Sequence, residues 1–551
     1  MADLAFLWHM HQPDYRHPES GHFVLPWVLL HTIKDYSDMA SHLERHPGVH
    51  CTVNFVPVLL DQIEDYADQL VTGQWRDPLL RIAAHREPDA LDDEDRAWLL
   101  DMAFRCHAPT MLEPFAPYRR LRDLLAFVKV QDANALSYLS GHYYADLATW
   151  FLLAWTGESL RRTGHAVPEL MAKGDAFTFA DRQRLLEELA GVVEQIIPRY
   201  RALSESGQIE LSCTPEHHPL APLLIDFKAA REAWPESPLP SAPAYPGGLT
   251  RVEAHLAAAR ASHERRFGSP PRGLWPAEGA LSAPFLKQIG EAGFAWTASS
   301  HGVLKHSAGN LAATSQPWLA PEGTPGDLAL FFRNEPLSDL IGFEYAKWHG
   351  RDAAQHFMTE LKAIHIRDSS ALIPVFLDGE NAWEYYPYNA WYFFSDLYGT
   401  LENNTAIRTV TLSEAAATHQ ARRQRLPRLT AGSWVYGTLS TWVGNPDKNR
   451  AWDLLCEVKH CADRALHGGR LTPEESAEVL RRLAVCEASD WFWWLGDYNS
   501  PQSVACFDSL FRENLKSLYR LLRLPVPVSL DHPISQGGGT PESGGTMRRA
   551  N

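Results

Sequence analysis

Residues 377–387, reading LDGENAWEYYP, put Asp378, Glu380 and Asn381 beside Trp383, Tyr385 and Tyr386. They follow an apolar run, residues 371–376, that reads as a buried strand. Carboxylates next to aromatic faces suit sugar chemistry, because rings stack on pyranose faces while carboxylates move protons and stabilise positive charge. A capped turn with a surface aromatic cluster would use the same residue types. Glu278, in LWPAEG after another short apolar run, offers a second carboxylate. Alone it reads equally well as an acidic residue in the first turn of a helix. Histidines add a third element: His9 and His11 near the start, His217 and His218 in TPEHHP. A single histidine is usually a satisfied core or surface residue. Four at two strand ends point to one shared site.

The elements that position these groups form an alternating pattern. Short apolar runs at residues 4–8, 51–55, 209–213, 273–275, 295–298, 328–332 and 372–377 read as seven strands separated by helical segments. Each ends in polar residues, and polar clusters repeated at strand C-termini describe a barrel whose site is built from many strands. A long helical insertion is expected at about 57–206, with a Pro/Gly-rich loop at 237–248. After about residue 446 the pattern is helical only, with an apolar face through Val504, Phe507, Leu510, Phe511 and Leu518. The expected organisation is a catalytic region over 1–400, a C-terminal helical domain over 401–531 contributing to the substrate cleft, and a disordered tail over 532–551.

Composition narrows the partners. The chain has 551 residues, too many for one ordinary core, and a formal net charge of −16 that argues against nucleic acid or an anionic membrane. Its 19 Trp, 18 Tyr and 23 Phe are conspicuous, and the clustered ones call for a ligand or an interface. Seven cysteines in no CxxC pair read as reduced thiols. With no basic leader, no cleavage-site pattern and no run of 18 apolar residues, a cytoplasmic protein is expected.

Taken in order, His11-Gln12-Pro13, residues 207–219, Trp275 to Glu278 and Asp378-Gly379-Glu380-Asn381 resemble the motifs of glycoside hydrolase family 57. The resemblance runs to about residue 530 and implies an α/β fold: a (β/α)7 incomplete TIM-like barrel with a helical insertion, followed by a C-terminal α-helical bundle. Residues 332–343 (FRNEPLSDLIGF), 434–444 (WVYGTLSTWVG) and 489–497 (SDWFWWLGD) look like the amylopullulanase and α-amylase branch, although Asn334 and Ala382 depart from its pattern. The resemblance implies a retaining glycosidase acting on an α-1,4-glucan oligo- or polysaccharide, with Glu278 as nucleophile and Asp378 as general acid/base. It implies substrate-site roles for His9, His11 and His218. A 4-α-glucanotransferase or branching enzyme would use the same scaffold.

Other assignments rest on residue type. Trp275, Trp383, Trp434, Trp442, Asp490 and Trp491 are expected in substrate subsites, with Trp493 and Trp494 as further members of the aromatic cluster. Of the five rings at 434, 442, 491, 493 and 494, at least two are expected to seal the C-terminal domain against the barrel instead. Glu380, two residues from Asp378, is expected to raise the acid's pKa by its charge. No metal and no organic cofactor is expected. A metal-dependent polysaccharide deacetylase is the rival class, since His9 and His11 alternate on one strand face, but the chain lacks the Asp-Asp pair and His-x3-5-His set to complete a zinc site.

Overall fold

The computed structural model describes residues 1–131, 133–310 and 313–539. Its strands are β1 (Ala2–Met10), β2 (Cys51–Phe55), β3 (Ile209–Cys213), β4 (Gly273–Leu274), β5 (Trp296–Ser300), β6 (Trp318–Leu319), β7 (Ala329–Arg333), β8 (Leu372–Asp378), β9 (Ile407–Thr409) and β10 (Gln424–Arg425). All seven expected strands form, with no end displaced by more than two residues. Strands β6, β9 and β10 lie outside that set, being too short to carry a period-two pattern.

The sheet runs β10-β6-β7-β5-β4-β3-β2-β1-β8, with β9 against β1. Every pairing from β7 round to β8 is parallel. The seam between β7 and β8 is joined by Asn334 N–H donating to Pro374 O at 2.7 Å and by Arg333 Nε donating to Phe376 O at 2.8 Å. Pro374 can accept there but has no N–H to return, so no regular ladder closes the barrel. The fold is therefore the incomplete seven-stranded barrel that the family resemblance implies, built on the seven strands of the alternating pattern.

Side-chain alternation fixes what each face does. Ala5 and Leu7 of β1 and Phe376 of β8 point inward with Trp275, Trp296 and Phe331. Leu4, Phe6, Trp8, Ile373 and Val375 point outward to the helices. Continuing by twos, His9 follows Ala5 and Leu7, and Asp378 follows Phe376, so both belong to the top layer of the barrel interior.

Helices follow local signals. Pro57–Thr72 starts on proline and ends at Gly73 in the left-handed region. The longest insertion helix, Phe179–Glu205, opens with a Thr178/Asp181 capping box. The C-terminal helices are Pro446–His467, Pro473–Cys486, Ser489–Trp494 and Pro501–Leu521. Among the described residues no helix is long and apolar enough to cross a membrane, and all seven cysteines are free.

Two expected boundaries need correction. β9 hydrogen-bonds to β1 and β10 to β6, so the chain stays with the sheet well past residue 400 before turning helical. The tail is also ordered at its start: Ile534 and Ser535 N–H both donate to Asp508, and Gly538 and Gly539 N–H to Asn499 O. Residues 540–551 lie outside the described residues.

Candidate active site

Strand register assembles the first row of the site. In the parallel pairings Asp378 of β8 lies opposite His9 of β1, His9 opposite Asn54 of β2, and Asn54 opposite Ser212 of β3. Paired residues of a parallel sheet share a face, so this row points into the barrel mouth. His9 Nδ1 meets Asn54 Oδ1 at 2.7 Å, and Asn54 Nδ2 donates to Ser212 Oγ at 3.1 Å. His9 Nε2 then meets His218 Nε2 at 3.2 Å, while the His218 ring stacks on His11 with centroids 3.8 Å apart.

Glu278 enters from the opposite wall, in a single turn after β4. Its backbone is in the left-handed region (φ 58°), as is that of His218 (φ 56°). Neither is glycine, so each position is strained, and such strain collects at functional sites. Glu278 O accepts from Trp434 N–H at 3.0 Å, Oε2 from Trp434 Nε1 at 3.2 Å, and Oε1 lies 3.0 Å from Ser489 Oγ. Asp378 Oδ2 accepts from Asn381 Nδ2 at 3.0 Å. Gly379 admits the close packing of this loop, since a Cβ there would lie 2.1 Å from Met10 Sδ.

The third wall comes from the C-terminal helices. Ser489 N–H donates to His218 O at 2.9 Å, and Asp490 receives His11 Nε2 at 2.9 Å. Glu487, just before them, holds this segment down. It is fully buried and takes Arg251 Nε at 2.8 Å, His255 Nε2 at 2.7 Å and the Tyr245 hydroxyl at 2.5 Å.

Together these walls form a cleft partly open to solvent. Glu278, Asp378, Glu380, His9, His11, His218, Trp434 and Asp490 line it, as the sequence led us to expect. Arg333, Asp339 and Phe343 from the 332–343 motif line it too, as do Trp493 and Trp494. Four expected subsite residues do not. Trp442 and Trp491 are buried in the helical region, Trp491 donating to Val485 O at 2.7 Å and stacking on Phe511. Trp383 is core, donating to Gly379 O and packing edge-on against Trp8. Trp275 is sealed beneath Trp434, with centroids 5.2 Å apart. His217 is also outside the cleft wall, its ring edge-on to His255.

Electrostatics separate the carboxylates from the histidines. Burial, reinforced by the Asp490 charge, pushes Glu278 up to about 8, and burial pushes Asp378 up to about 6. Burial, reinforced by the Asp378 charge, holds Glu380 well above the usual range, whereas the causes that shift Asp378 are its burial, Asn381, His11 and Arg333 rather than the Glu380 charge expected. Burial and neighbouring rings lower His9 to about 3 and His218 well below its ordinary value, keeping both neutral. A pair of facing carboxyls carrying one proton near pH 7, in a cleft with aromatic walls, can do acid/base and nucleophilic work on a neutral polymer.

A metal fits less well. His11, His218 and Asp490 bring ligating atoms within 4.8 Å of one another. The two rings are stacked nearly parallel, however, and their in-plane lone pairs do not meet at one point.

The sequence profile for glycosyl hydrolase family 57 matches residues 5–427. The chain belongs to glycosyl hydrolase family 57. It is thus an enzyme of the glycoside hydrolase type. Similar solved structures include a branching enzyme from Pyrococcus horikoshii (17% identity, TM-score 0.57, covering 96% of this chain and 93% of that one). An α-amylase from Thermotoga maritima aligns at 13% identity and TM-score 0.57, covering 95% and 93%. A 4-α-glucanotransferase from Thermococcus litoralis aligns at 14% and 0.52, covering 94% and 60%. No curated protein sequence matches the chain.

Proposed function

We propose that this family 57 enzyme cleaves α-1,4-glucans with retention, through a covalent glycosyl intermediate on Glu278 and with Asp378 as acid and then base. One observation carries the reading: the two carboxyls line opposite walls of one cleft, both half-buried and both raised. In the first step the Glu278 carboxylate bonds to the anomeric carbon while the glycosidic C–O bond breaks and Asp378 protonates the leaving oxygen. In the second, Asp378 takes a proton from the incoming hydroxyl, which displaces Glu278 and restores the original configuration.

Burial and neighbouring charge alone place the shared proton on Glu278, the reverse of what bond breaking uses. Positive charge developing at the anomeric carbon favours the Glu278 anion, and the leaving oxygen favours a proton on Asp378. The reactive arrangement is therefore reached with the sugar in place. Trp434 Nε1 contributes by donating to the carboxylate that must become ionic.

The reading divides the chain by task. Barrel strands supply Glu278, Asp378 and the histidines, and the C-terminal helices supply Ser489, Asp490, Trp493 and Trp494. Action of the α-amylase and amylopullulanase type is the preferred outcome, with water as acceptor. The three indoles that line the cleft, Trp434, Trp493 and Trp494, favour a second reading, transfer to a sugar acceptor as in a 4-α-glucanotransferase or branching enzyme, because apolar walls disfavour water at the intermediate. Product analysis on maltooligosaccharides, glycogen and pullulan decides. Short reducing sugars establish hydrolysis, a ladder of longer and shorter oligomers establishes transfer, and new α-1,6 points establish branching. No product from any α-glucan would overturn the proposal.

A further inference from the structure

The hydrogen-bond chain behind Glu278 is oriented by Asn54, whose Oδ1 accepts from Thr214 Oγ1 at 2.9 Å and whose Nδ2 donates to Ser212 Oγ. Asn54 presents Oδ1 to His9, its Nδ2 being engaged by Ser212, so His9 carries its proton on Nδ1. His9 Nε2 is then a bare acceptor, and His218 Nε2–H donates to it. His218 Nδ1 is left bare in turn, 2.8 Å from Ser489 Oγ. That oxygen is also 3.0 Å from Glu278 Oε1, whereas His218 Nδ1 is 3.8 Å from the same carboxylate oxygen. A serine hydroxyl has a single proton and can serve only one of these neighbours.

We propose that the Ser489 hydroxyl is a two-position switch, donating to His218 Nδ1 while Glu278 is protonated and turning to Glu278 Oε1 when that carboxyl becomes an anion. This rests on the retaining reading above. With Glu278 protonated, its O–H donates to Ser489 Oγ and the hydroxyl proton goes to His218. When the shared proton moves to Asp378, the Glu278 O–H bond is lost and Ser489 rotates to donate to the new anion. His218 cannot supply a proton instead, because Asn54 fixes the tautomers of both rings. Ser489 is a positioning residue: it favours the ionised Glu278 that attacks the sugar, and it arrives from the C-terminal helices rather than the barrel.

The groups facing Glu278 are Asp378 from β8, Asp490 and Ser489 from the C-terminal helices, His218 after β3 and Trp434 from the loop beyond β10, with His9 and His11 of β1 behind His218. Among them Ser489 and Trp434 hydrogen-bond the carboxyl directly. Removing the Ser489 donor raises the proton affinity of Glu278 and leaves Asp378 untouched. This links two observables. Each unit by which the alkaline limb of kcat/KM moves up accompanies a tenfold loss of kcat/KM, because the same energy sets both.

The test compares wild type, Ser489→Ala and Ser489→Thr over pH. Wild type should give a bell with limbs near 6 and 8. Ser489→Ala should shift the alkaline limb up and lose roughly tenfold to hundredfold in kcat/KM, the range of one hydrogen bond to a charged group. Ser489→Thr should restore both. Loss of activity with an unmoved limb, or no change at all, would overturn the switch. The same shift can be read without substrate, from the Glu278 carboxyl band in infrared titrations differenced against Glu278→Gln. An unchanged midpoint there overturns the switch even if the protein proves inactive on α-glucans, and a raised midpoint supports it independently of the proposed function.

Discussion

Two acidic sites sit side by side in this protein and behave in opposite ways. At the cleft, Glu278 and Asp378 are pushed up to about 8 and about 6, since the loss of water outweighs their partners, with Arg333 and His11 only partly offsetting it at Asp378. At Glu487, burial would raise the carboxyl just as strongly, but the Arg251 charge and the His255 hydrogen bond outweigh it and hold the group down at about 2. Glu487 is the deeper, fully buried, while Glu278 and Asp378 are half-buried, so partners rather than exposure hold Glu487 down. The saturated carboxylate anchors the segment that delivers Ser489 and Asp490, whereas the under-partnered ones keep a mobile proton at a cost in stability. Their pH dependences follow with opposite signs. Glu487 contributes stability above its ordinary value of 4.5, lost as pH falls towards 2. Glu278 instead loses stability for the protein as pH rises from 4.5 towards 8.

The largest expected effect breaks the cleft cluster. Glu278→Gln should lower kcat by about four orders of magnitude or more, and Asp378→Asn by roughly 10²–10⁴-fold. Neither should lower the melting temperature at pH 7, because each removes a half-buried group that is costly to ionise. Steady-state kinetics and thermal unfolding on the same preparations check both halves. A near-wild-type rate in either variant would remove that residue from the chemistry.

Next comes the anchoring cluster. Glu487→Gln leaves Arg251 buried without its counter-charge and should destabilise the protein by about 3–5 kcal/mol. It should also abolish the acid-limb loss of stability between 4.5 and about 2. Denaturant unfolding across pH measures both. A variant as stable as wild type, with an unchanged acid limb, would show that the network does not hold the segment.

The smallest effect sharpens the boundary between site and scaffold. Trp494 lies face to face with Phe507 at 4.3 Å and also lines the cleft. Trp494→Ala should weaken KM for long α-glucans by up to about tenfold, the scale of one aromatic contact, and change short substrates little. Equal loss at every chain length, tracking a lower melting temperature, would make the ring structural.

What could be read from the sequence divides along physical lines. Strand ends were legible because a buried run followed by His, Asp or Glu is rare without a reason, and His9, His11, His218, Glu278 and Asp378 all reach the cleft. Aromatic density located the cluster but not which rings seal the core, Trp442 and Trp491, and which line the cleft, Trp434, Trp493 and Trp494. On the short helix Ser489–Trp494, neighbouring residues point in different directions: Trp491 turns into the bundle while Trp493 and Trp494 face the cleft. Trp275 and Trp383 likewise support the site from below rather than touch its space. Asn54 ends its strand and Ser489 opens the 489–497 motif, but the sequence assigns neither a role. Serine and asparagine carry no type-specific signal, and Asn54 meets His9 only through the register of β1 and β2.

The most direct test of the central claim traps the intermediate. Incubating the enzyme with a slow 5-fluoroglycosyl fluoride of the α configuration, then digesting it and sequencing the labelled peptide by mass spectrometry, locates the covalent bond. The account predicts one glycosyl group per chain, attached to Glu278 and absent from Glu278→Gln. A label on Asp378, Asp490 or any other side chain, or turnover of the reagent with no covalent adduct, would contradict it.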